Sequence, residues 1–170
     1  MISLREELLN VKAFLFDVDG VLSPDVTPLD DSGDPVRTAN VKDGYAIRQA
    51  LSHGYVIGII TGGIQKRVRL RYQRLGVKFF YDDIKEKLVS FHDFLNESGI
   101  KAEAILYMGD DLPDLPVMIK VGLATCPSDA VQEVKAVSHY VSDRQGGYGC
   151  VRDVIELVMK MQGKWNNSAQ

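Results

Sequence analysis

The stretch Ala13-Phe14-Leu15-Phe16-Asp17-Val18-Asp19-Gly20 decides the fold, because a short apolar run leads directly into two carboxylates. Four consecutive apolar residues predict a strand that is buried on both faces. Side chains two residues apart on a strand point to the same side, so Asp17 and Asp19 are expected to lie close together and repel each other. Such a pair is typical of a divalent-cation site, or of chemistry that keeps one carboxyl protonated. A solvated Asp-rich turn is the alternative.

Two further apolar runs also end in polar residues. Residues 104–108 lead into Gly109-Asp110-Asp111-Leu112-Pro113-Asp114, and residues 55–60 lead into Thr61-Gly62-Gly63. Since the carboxyl ends of parallel strands form the ligand-binding edge of a sheet, we expect Asp17, Thr61 and Asp110 to meet at one crevice. Carboxylates from two such loops suit Mg²⁺, which prefers oxygen ligands and shares a phosphate with them. The hydroxyl and the glycine N–H groups predict contacts to that phosphate.

Length and composition describe one compact domain. The chain has 170 residues, of which 45% are apolar and 25% charged, and we assign residues 1–165 to the domain and 166–170 to a disordered tail. A net charge of −3 gives no reason to expect nucleic acid or a membrane as partner. Neither a membrane-length apolar run nor a signal peptide is evident. Cys126 and Cys150 have no metal-like spacing and are interpreted as reduced thiols of a cytoplasmic protein.

Strands and helices alternate along the chain. The pattern predicts strands at 12–17, 55–61, 77–81, 104–108, 122–124 and 139–141. It predicts a short N-terminal helix capped by Ser3, then helices at 43–53, 64–75, 86–96 and 115–121, one capped by Ser128, and a last helix at 151–161. This alternation is typical of an α/β fold with a doubly wound parallel sheet.

One segment departs from the alternation. Residues 21–38 are rich in Pro, Asp, Ser and Gly, and the turn-forming run 30–34 divides them. We interpret the segment as a β-hairpin that projects beside the catalytic loop, with a mobile surface loop as the alternative. No insertion between the motifs is long enough for a separate cap domain, so oligomerisation is the simplest way to close the site against water.

The ordered set Asp17-x-Asp19, Thr61-Gly62, Lys87 and Gly109 to Asp114 resembles the haloacid dehalogenase superfamily of phosphotransferases. The runs Asn40-Val41-Lys42-Asp43-Gly44 and Gly146-Gly147-Tyr148-Gly149 are similar to those of a capless subgroup of sugar-acid phosphatases. The resemblance implies a Rossmann-like sheet, Mg²⁺ as cofactor, and a homotetramer whose sites lie at subunit interfaces.

The resemblance also implies a role for each acidic residue. Asp17 is expected to attack phosphorus and form an aspartyl-phosphate, while Asp19 acts first as acid and then as base. Mg²⁺ is expected to bind the carboxylates of Asp17 and Asp110 and the backbone carbonyl of Asp19. Asp111 and Asp114 are expected to orient these groups, although Asp111 is equally well explained as a solvated carboxylate at a helix start.

The groups expected to bind the substrate are the remaining polar residues of the motifs. Thr61, the Gly62 amide and Lys87 would bind phosphoryl oxygens, although a lysine at a helix start is usually only solvated. An acidic sugar needs a cation for its carboxylate, which Arg offers as a bidentate fork. The substrate-binding set is therefore predicted to be Asp19, Asn40, Val41, Lys42, Asp43, Gly44, Arg48, Gly62, Gly63, Arg71 and Lys87. Surface charge explains the two arginines equally well.

Two positions depart from the subgroup and bear on the substrate. Relatives acting on an eight-carbon ulosonate frequently carry Arg where this chain has Gly63, whereas those acting on nine-carbon ulosonates often carry Glu. Tyr148 stands where relatives often have Arg. The absence of an acidic side chain at Gly63 favours 3-deoxy-D-manno-octulosonate 8-phosphate, with a nine-carbon ulosonate 9-phosphate as the alternative. A non-catalytic oligomeric regulatory module is the alternative from another functional class.

Overall fold

The computed structural model describes residues 3–64 and 66–165, and its centre is a six-stranded parallel sheet. The strands stand in the order β3-β2-β1-β4-β5-β6. They are β1 (Ala13–Phe16), β2 (Val56–Ile60), β3 (Phe79–Tyr81), β4 (Ile105–Met108), β5 (Leu123–Cys126) and β6 (Tyr140–Val141). This arrangement confirms the predicted doubly wound α/β fold, in which the strand order reverses beside the first strand.

Seven α-helices connect or flank the strands within the described residues. They are α1 (Leu4–Asn10), α2 (Val41–Ser52), α3 (Lys66–Leu75), α4 (Lys87–Ser98), α5 (Leu115–Met118), α6 (Gln132–Val137) and α7 (Cys150–Met161). Ser3 caps α1 as predicted, because its hydroxyl accepts from the Glu6 N–H while the Glu6 carboxylate accepts from the Ser3 N–H. None of the described helices is long and apolar enough to cross a bilayer.

The sheet separates two apolar layers because successive strand residues face opposite sides. On β1, Phe14 and Phe16 pack toward α2 and α7, whereas Ala13 and Leu15 pack toward α4 and α5. All four side chains are fully buried, which explains why β1 is a continuous apolar run with no alternation of polar residues. The layers fix β1 at the centre of the sheet, and with it the position of Asp17 at its carboxyl end.

Residues 21–38 form a much less regular structure than the predicted β-hairpin. A single antiparallel bridge joins Leu29 to Pro35 across the 30–34 turn, and Val36 N–H donates to the Pro28 carbonyl at 2.8 Å. Two of the segment's prolines, Pro28 and Pro35, flank the turn and have no N–H to give to a ladder. The segment folds back on itself as expected, but as a loop with a single antiparallel bridge in its described residues.

The cap predicted at Ser128 is wrong. Helix α6 begins at Gln132 with Val131 at its N-cap, and the Ser128 N–H donates to the Arg144 carbonyl in a loop. Residues 127–130 form a turn that precedes the helix, and Ser128 belongs to that turn. The predicted tail at 166–170 lies outside the described residues.

Candidate active site

The carboxyl ends of β1, β2 and β4 meet at a cleft of about 390 Å³. Its walls come from the four loops in which the sequence motifs lie, together with a loop before α6. The polar residues that line it are Asp17, Asp19, Asp25, Thr61, Gly62, Gly63, Lys85, Lys87, Asp110, Asp111, Asp114 and Asp129. The topology therefore brings together the groups that the sequence analysis placed at one crevice.

Asp17 is a buried carboxylate, with 7% of the residue exposed, at the end of the central strand. Its Oδ1 accepts from the Val18 N–H at 2.7 Å, and its Oδ2 lies 2.8 Å from the Lys87 ammonium nitrogen. Burial, reinforced by the charge of Asp114 and opposed by that of Lys87, raises the pKa of Asp17 to about 7. A carboxylate that lines the cleft and is largely removed from water is suited to nucleophilic attack.

Lys87 joins Asp17 to Asp114. Its Nζ lies 2.8 Å from Asp17 and 2.7 Å from Asp114, and the side chain is 7% exposed. Burial alone would lower the pKa of Lys87, but the two carboxylates outweigh it and raise the pKa, so the lysine stays charged. The alternative interpretation of Lys87 as a solvated lysine at a helix start is therefore wrong, because its ammonium group is buried between two carboxylates.

Asp114 is fully buried and organises the loop after β4. Its Oδ1 accepts from Lys87 and from the Tyr107 hydroxyl at 2.5 Å, and its Oδ2 accepts from the backbone N–H groups of Asp110 and Asp111. With four donors on its two oxygens, Asp114 orients its neighbours. The role of the Tyr107 hydroxyl was not predicted from the sequence, because Tyr107 lies within the apolar run 104–108 of a buried strand.

Asp110 completes a group of three carboxylates, with Asp17 and Asp114, whose oxygens lie within 4.8 Å of one another. Burial and the charges of Asp17 and Asp114 raise the pKa of Asp110 to about 8. Its Oδ1 is buried and has no hydrogen-bond partner among residues 3–64 and 66–165. Because Lys87 compensates only one of three negative charges, the cluster fits a divalent cation. Asp17 and Asp110 would hold the ion, since the oxygens of Asp114 are already occupied.

Gly20 makes room for the Asp110 carboxylate. A Cβ at this position would lie 1.9 Å from Oδ2 of Asp110, and the backbone is left-handed, with φ at 81°. Gly20→Ala is expected to displace Asp110 and weaken Mg²⁺ binding at least about tenfold, as measured by calorimetric titration. Gly33→Ala is the matched control, since Gly33 has φ at 82° but no atom of the described part of the chain would lie within 4 Å of the added carbon. Equal Mg²⁺ affinity in the two variants would contradict this geometry.

The carboxylates of Asp17 and Asp110 also predict how stability depends on pH. The pKa values of Asp17 and Asp110 are raised to about 7 and 8, above the ordinary value of about 4 in the unfolded chain. Between those values the folded state binds more protons, so the free energy of unfolding falls as the pH rises. Magnesium-free protein is therefore expected to melt at a lower temperature near pH 8.5 than near pH 6.

Mg²⁺ should reverse this trend, because it competes with protons for the same oxygens. The rise in Tm on adding Mg²⁺ is expected to be larger near pH 8.5 than near pH 6, as followed by calorimetry. Asp110→Asn should remove most of that difference. An equal Mg²⁺-induced rise at both pH values in the wild-type protein would place the ion away from these carboxylates.

Asp19 stands at the cleft edge and is 40% exposed at its side chain. Both of its carboxylate oxygens accept from Arg37, a residue of the 21–38 segment that the sequence analysis did not identify. Nothing in the spacing of the two residues predicts the contact, because the irregular segment between them has no strand or helix period. A basic residue in a turn-rich stretch is the only signal that the sequence offers.

The predicted phosphate-binding groups Thr61 and Gly62 also line the cleft. Thr61 is buried and lines the cleft with Gly62 and Gly63. Asp111 also lines it, is exposed, and caps the short 3₁₀ turn at Leu112–Asp114 through its Oδ1. Lys85, exposed and also at the cleft, is a second cation that the sequence analysis did not identify.

The predicted substrate loop lies outside the lining of this cleft. Asn40 caps α2, since its Oδ1 accepts from the N–H groups of Lys42 and Asp43. Asp43 is fully buried, accepts from the Arg152 N–H at 2.8 Å, and has its pKa raised by burial to about 6. Its carboxylate therefore links α2 to α7.

Four other predicted substrate groups are also not among the residues that line the cleft. Val41, Lys42 and Arg48 are exposed on α2. Arg71 lies on α3 against Gly44, where an added Cβ would stand 3.0 Å from its Nη2. The structure therefore does not place these side chains at the cleft of their own chain.

Comparisons with known proteins identify the family of the chain. The chain is 40% identical over 155 residues to the 3-deoxy-D-manno-octulosonate 8-phosphate phosphatase of Salmonella typhi, covering 91% of this chain and 82% of that protein. The chain belongs to this phosphatase family. No protein-family model matches the chain.

Solved structures of the octulosonate phosphatase family share the fold. The enzyme from Yersinia pestis superposes with a TM-score of 0.90 at 35% identity, covering 94% of this chain and 86% of that one. The enzyme from Moraxella catarrhalis, solved with a magnesium ion, a phosphate ion and a KDO molecule, gives a TM-score of 0.88 at 30% identity and covers 94% of this chain and 91% of that one. A HAD superfamily hydrolase from Legionella pneumophila superposes with a TM-score of 0.90 at 32% identity, covering 95% of this chain and 88% of that one, which confirms the haloacid dehalogenase fold expected from the motifs.

Proposed function

We propose that this protein is a Mg²⁺-dependent phosphatase that hydrolyses 3-deoxy-D-manno-octulosonate 8-phosphate to the free sugar acid and phosphate. The observation that carries the proposal is the arrangement at the carboxyl edge of the sheet, where Asp17 and Lys87 are buried in contact and the half-buried Asp110 lies beside Asp17. Relatives at 40% identity bear this activity in their names, and a solved relative holds magnesium, phosphate and the sugar.

The chemistry assigned to the chain's own residues has two displacements. A carboxylate oxygen of Asp17 attacks phosphorus, the bond from phosphorus to the sugar oxygen breaks, and Asp19 gives that oxygen a proton. Asp19 then takes a proton from a water molecule that attacks the phosphorus of the aspartyl-phosphate, which frees Asp17 and phosphate. A bound Mg²⁺ supplies positive charge beside the phosphoryl oxygens.

The phosphoryl group would sit between two sets of groups. The Thr61 hydroxyl and the Gly62 N–H would donate hydrogen bonds to phosphoryl oxygens. Lys87 would supply a positive charge to the same group, and its contact with Asp17 holds that carboxylate in place. Asp17, Asp110 and the backbone carbonyl of Asp19 would hold the ion, and Asp114 and Asp111 would orient them. In this scheme Lys87 stays paired with Asp114 when Asp17 carries the phosphoryl group.

The sugar acid requires recognition beyond this cleft. We assign it to the loop at Asn40–Gly44, to Arg48 and Arg71, and to Gly63, and propose that a neighbouring subunit of a homotetramer brings some of them to each site. Exposed apolar side chains on the 21–38 segment and the neighbouring elements support a subunit interface, among them Val26, Leu29, Val41 and Ile64. Cys126 and Cys150 are buried and form no disulfide, which supports a location in the reducing cytoplasm.

The substrate is tested by comparing kcat/KM over a panel of sugar phosphates, each with Mg²⁺ and with EDTA. The eight-carbon ulosonate 8-phosphate is expected to exceed a nine-carbon ulosonate 9-phosphate at least about tenfold, a difference typical of contacts that fit one substrate and miss another. EDTA should abolish turnover of both.

Two outcomes would change the conclusion. A preference for the nine-carbon ester would replace the substrate while keeping the phosphatase. Absence of phosphate release from every ester, with Mg²⁺ present and the protein folded, would favour the non-catalytic oligomeric module instead.

A further inference from the structure

The side chain of Arg37 makes a two-pronged contact with the carboxylate of Asp19. Its Nε donates to Oδ1 and its Nη2 to Oδ2, both at 2.9 Å. Its Nη1 donates to the Pro35 carbonyl at 3.1 Å, so the guanidinium is held from its other side as well. The arginine side chain is 15% exposed. A fork of this kind fixes the plane of a carboxylate, which a single hydrogen bond does not.

The backbone that carries Arg37 is tied to the end of β1. The Thr38 N–H donates to Oγ of Ser23 at 3.0 Å, and Ser23 is fully buried. Ser23 in turn donates through its N–H to the Val18 carbonyl at 2.9 Å and accepts from the Gly20 N–H at 2.8 Å. The arginine and the carboxylate it binds are thus anchored to one short piece of chain. This anchoring distinguishes the pair from an ordinary surface ion pair, whose two flexible side chains must be ordered to meet.

Asp19 needs such an anchor more than Asp17 or Asp114 does. Asp17 is fixed by Lys87 and the Val18 N–H, and Asp114 by four donors. Asp19 is the most exposed of the three, and its side chain would otherwise sample several rotamers. A group that transfers a proton must lie within hydrogen-bond reach of the oxygen it serves, so a free rotamer would cost rate.

We propose that Arg37 is the positioning residue of the acid–base step, holding the Asp19 carboxylate toward the oxygen that leaves phosphorus. The inference rests on the proposed function, because it takes Asp19 as the proton carrier. When Asp19 carries the proton, one oxygen keeps its bond to the guanidinium while the other donates. As the bond from phosphorus to the sugar oxygen breaks and Asp17 bonds to phosphorus, the proton passes to that oxygen and both prongs re-form. The 21–38 segment thereby supplies part of the catalytic arrangement.

The test is Arg37→Met, which removes the guanidinium but keeps an unbranched chain. The rate of phosphoenzyme formation is measured by rapid quench with the octulosonate phosphate, whose leaving oxygen needs a proton, and with p-nitrophenyl phosphate, whose leaving group does not. We expect a loss of about 10- to 100-fold with the sugar phosphate, a much smaller loss with the nitrophenyl ester, and little change in KM. Arg37→Lys should recover only part of the rate, since it restores charge without the fork.

Two further variants complete the experiment. Arg144→Met is the matched control. Arg144 is exposed, and its ion pair within the described part of the chain is with the adjacent, exposed Asp143. Arg37→Met is expected to cost nothing further in an Asp19→Asn background, since a positioning residue acts through the group it positions.

The outcomes separate this inference from the proposed function. Equal losses with the two esters, a rise in KM alone, or a rate equal to or above wild type would each overturn the role given to Arg37. An active wild-type enzyme is required for any of these results. Absence of Mg²⁺-dependent phosphate release by the wild-type protein from both esters would instead overturn the proposed function.

Discussion

Asp17→Asn is expected to reduce phosphate release by about 10⁴-fold or more, the size of loss seen when a covalent nucleophile is removed. The amide is nearly the same size as the carboxylate but is a poor nucleophile toward phosphorus. It also removes one of the two negative partners of Lys87 and one proposed ligand of Mg²⁺. Initial rates with the octulosonate phosphate in saturating Mg²⁺ provide the measurement.

Asp93→Asn is a suitable control for this substitution, because Asp93 is an exposed residue of α4 and does not line the cleft. Wild-type enzyme quenched in acid during turnover with labelled substrate should carry phosphate that hydroxylamine releases, and Asp17→Asn should carry none. Labelling of the variant at the wild-type level would show that another residue is the nucleophile.

Asp114→Asn is expected to lower the free energy of unfolding by about 3–5 kcal/mol, the usual effect of breaking a buried ion pair. Both Asp114 oxygens accept from two donors, so an amide NH₂ would face donors whichever way it turns. The ammonium of Lys87 would also lose one of its two carboxylates. Denaturant unfolding without Mg²⁺ measures the effect, and activity should fall with it because Lys87 and the 110–111 backbone lose their anchor.

Asp143→Asn is the control for stability, since 79% of the Asp143 side chain is exposed and its ion pair is with the adjacent Arg144. We expect that change to cost less than about 0.5 kcal/mol. If Asp114→Asn were no more destabilising than Asp143→Asn, the four hydrogen bonds and the ion pair would not hold the loop as described.

The positions of the polar residues at the strand ends could be predicted from the sequence, because in a parallel sheet all the carboxyl ends lie at one edge. Apolar runs long enough for a strand, each followed by polar residues, place Asp17, Thr61 and Asp110 at the same edge of a parallel sheet. The structure brings these residues to one cleft, with Lys87 between two carboxylates. Burial of the runs fixes the sheet, and the sheet fixes the positions of the polar residues.

Contacts that depend on irregular chain could not be predicted in the same way. The Arg37–Asp19 fork arises from the path of an irregular loop, and no periodicity encodes that path. Ser128 is a good N-cap residue in isolation, but the chain turns once more before α6 begins. Tyr107 reads as a core residue, and only the fold reveals that its hydroxyl reaches Asp114.

The most direct test of the central claim is a crystal structure of the protein with Mg²⁺ and beryllofluoride, which mimics a phosphoryl group on a carboxylate. The account predicts beryllium bonded to a carboxylate oxygen of Asp17, with Mg²⁺ bound to Asp17 and Asp110 and with Lys87 still paired to Asp114. Beryllium on another residue, or Mg²⁺ bound away from Asp17 and Asp110, would contradict it.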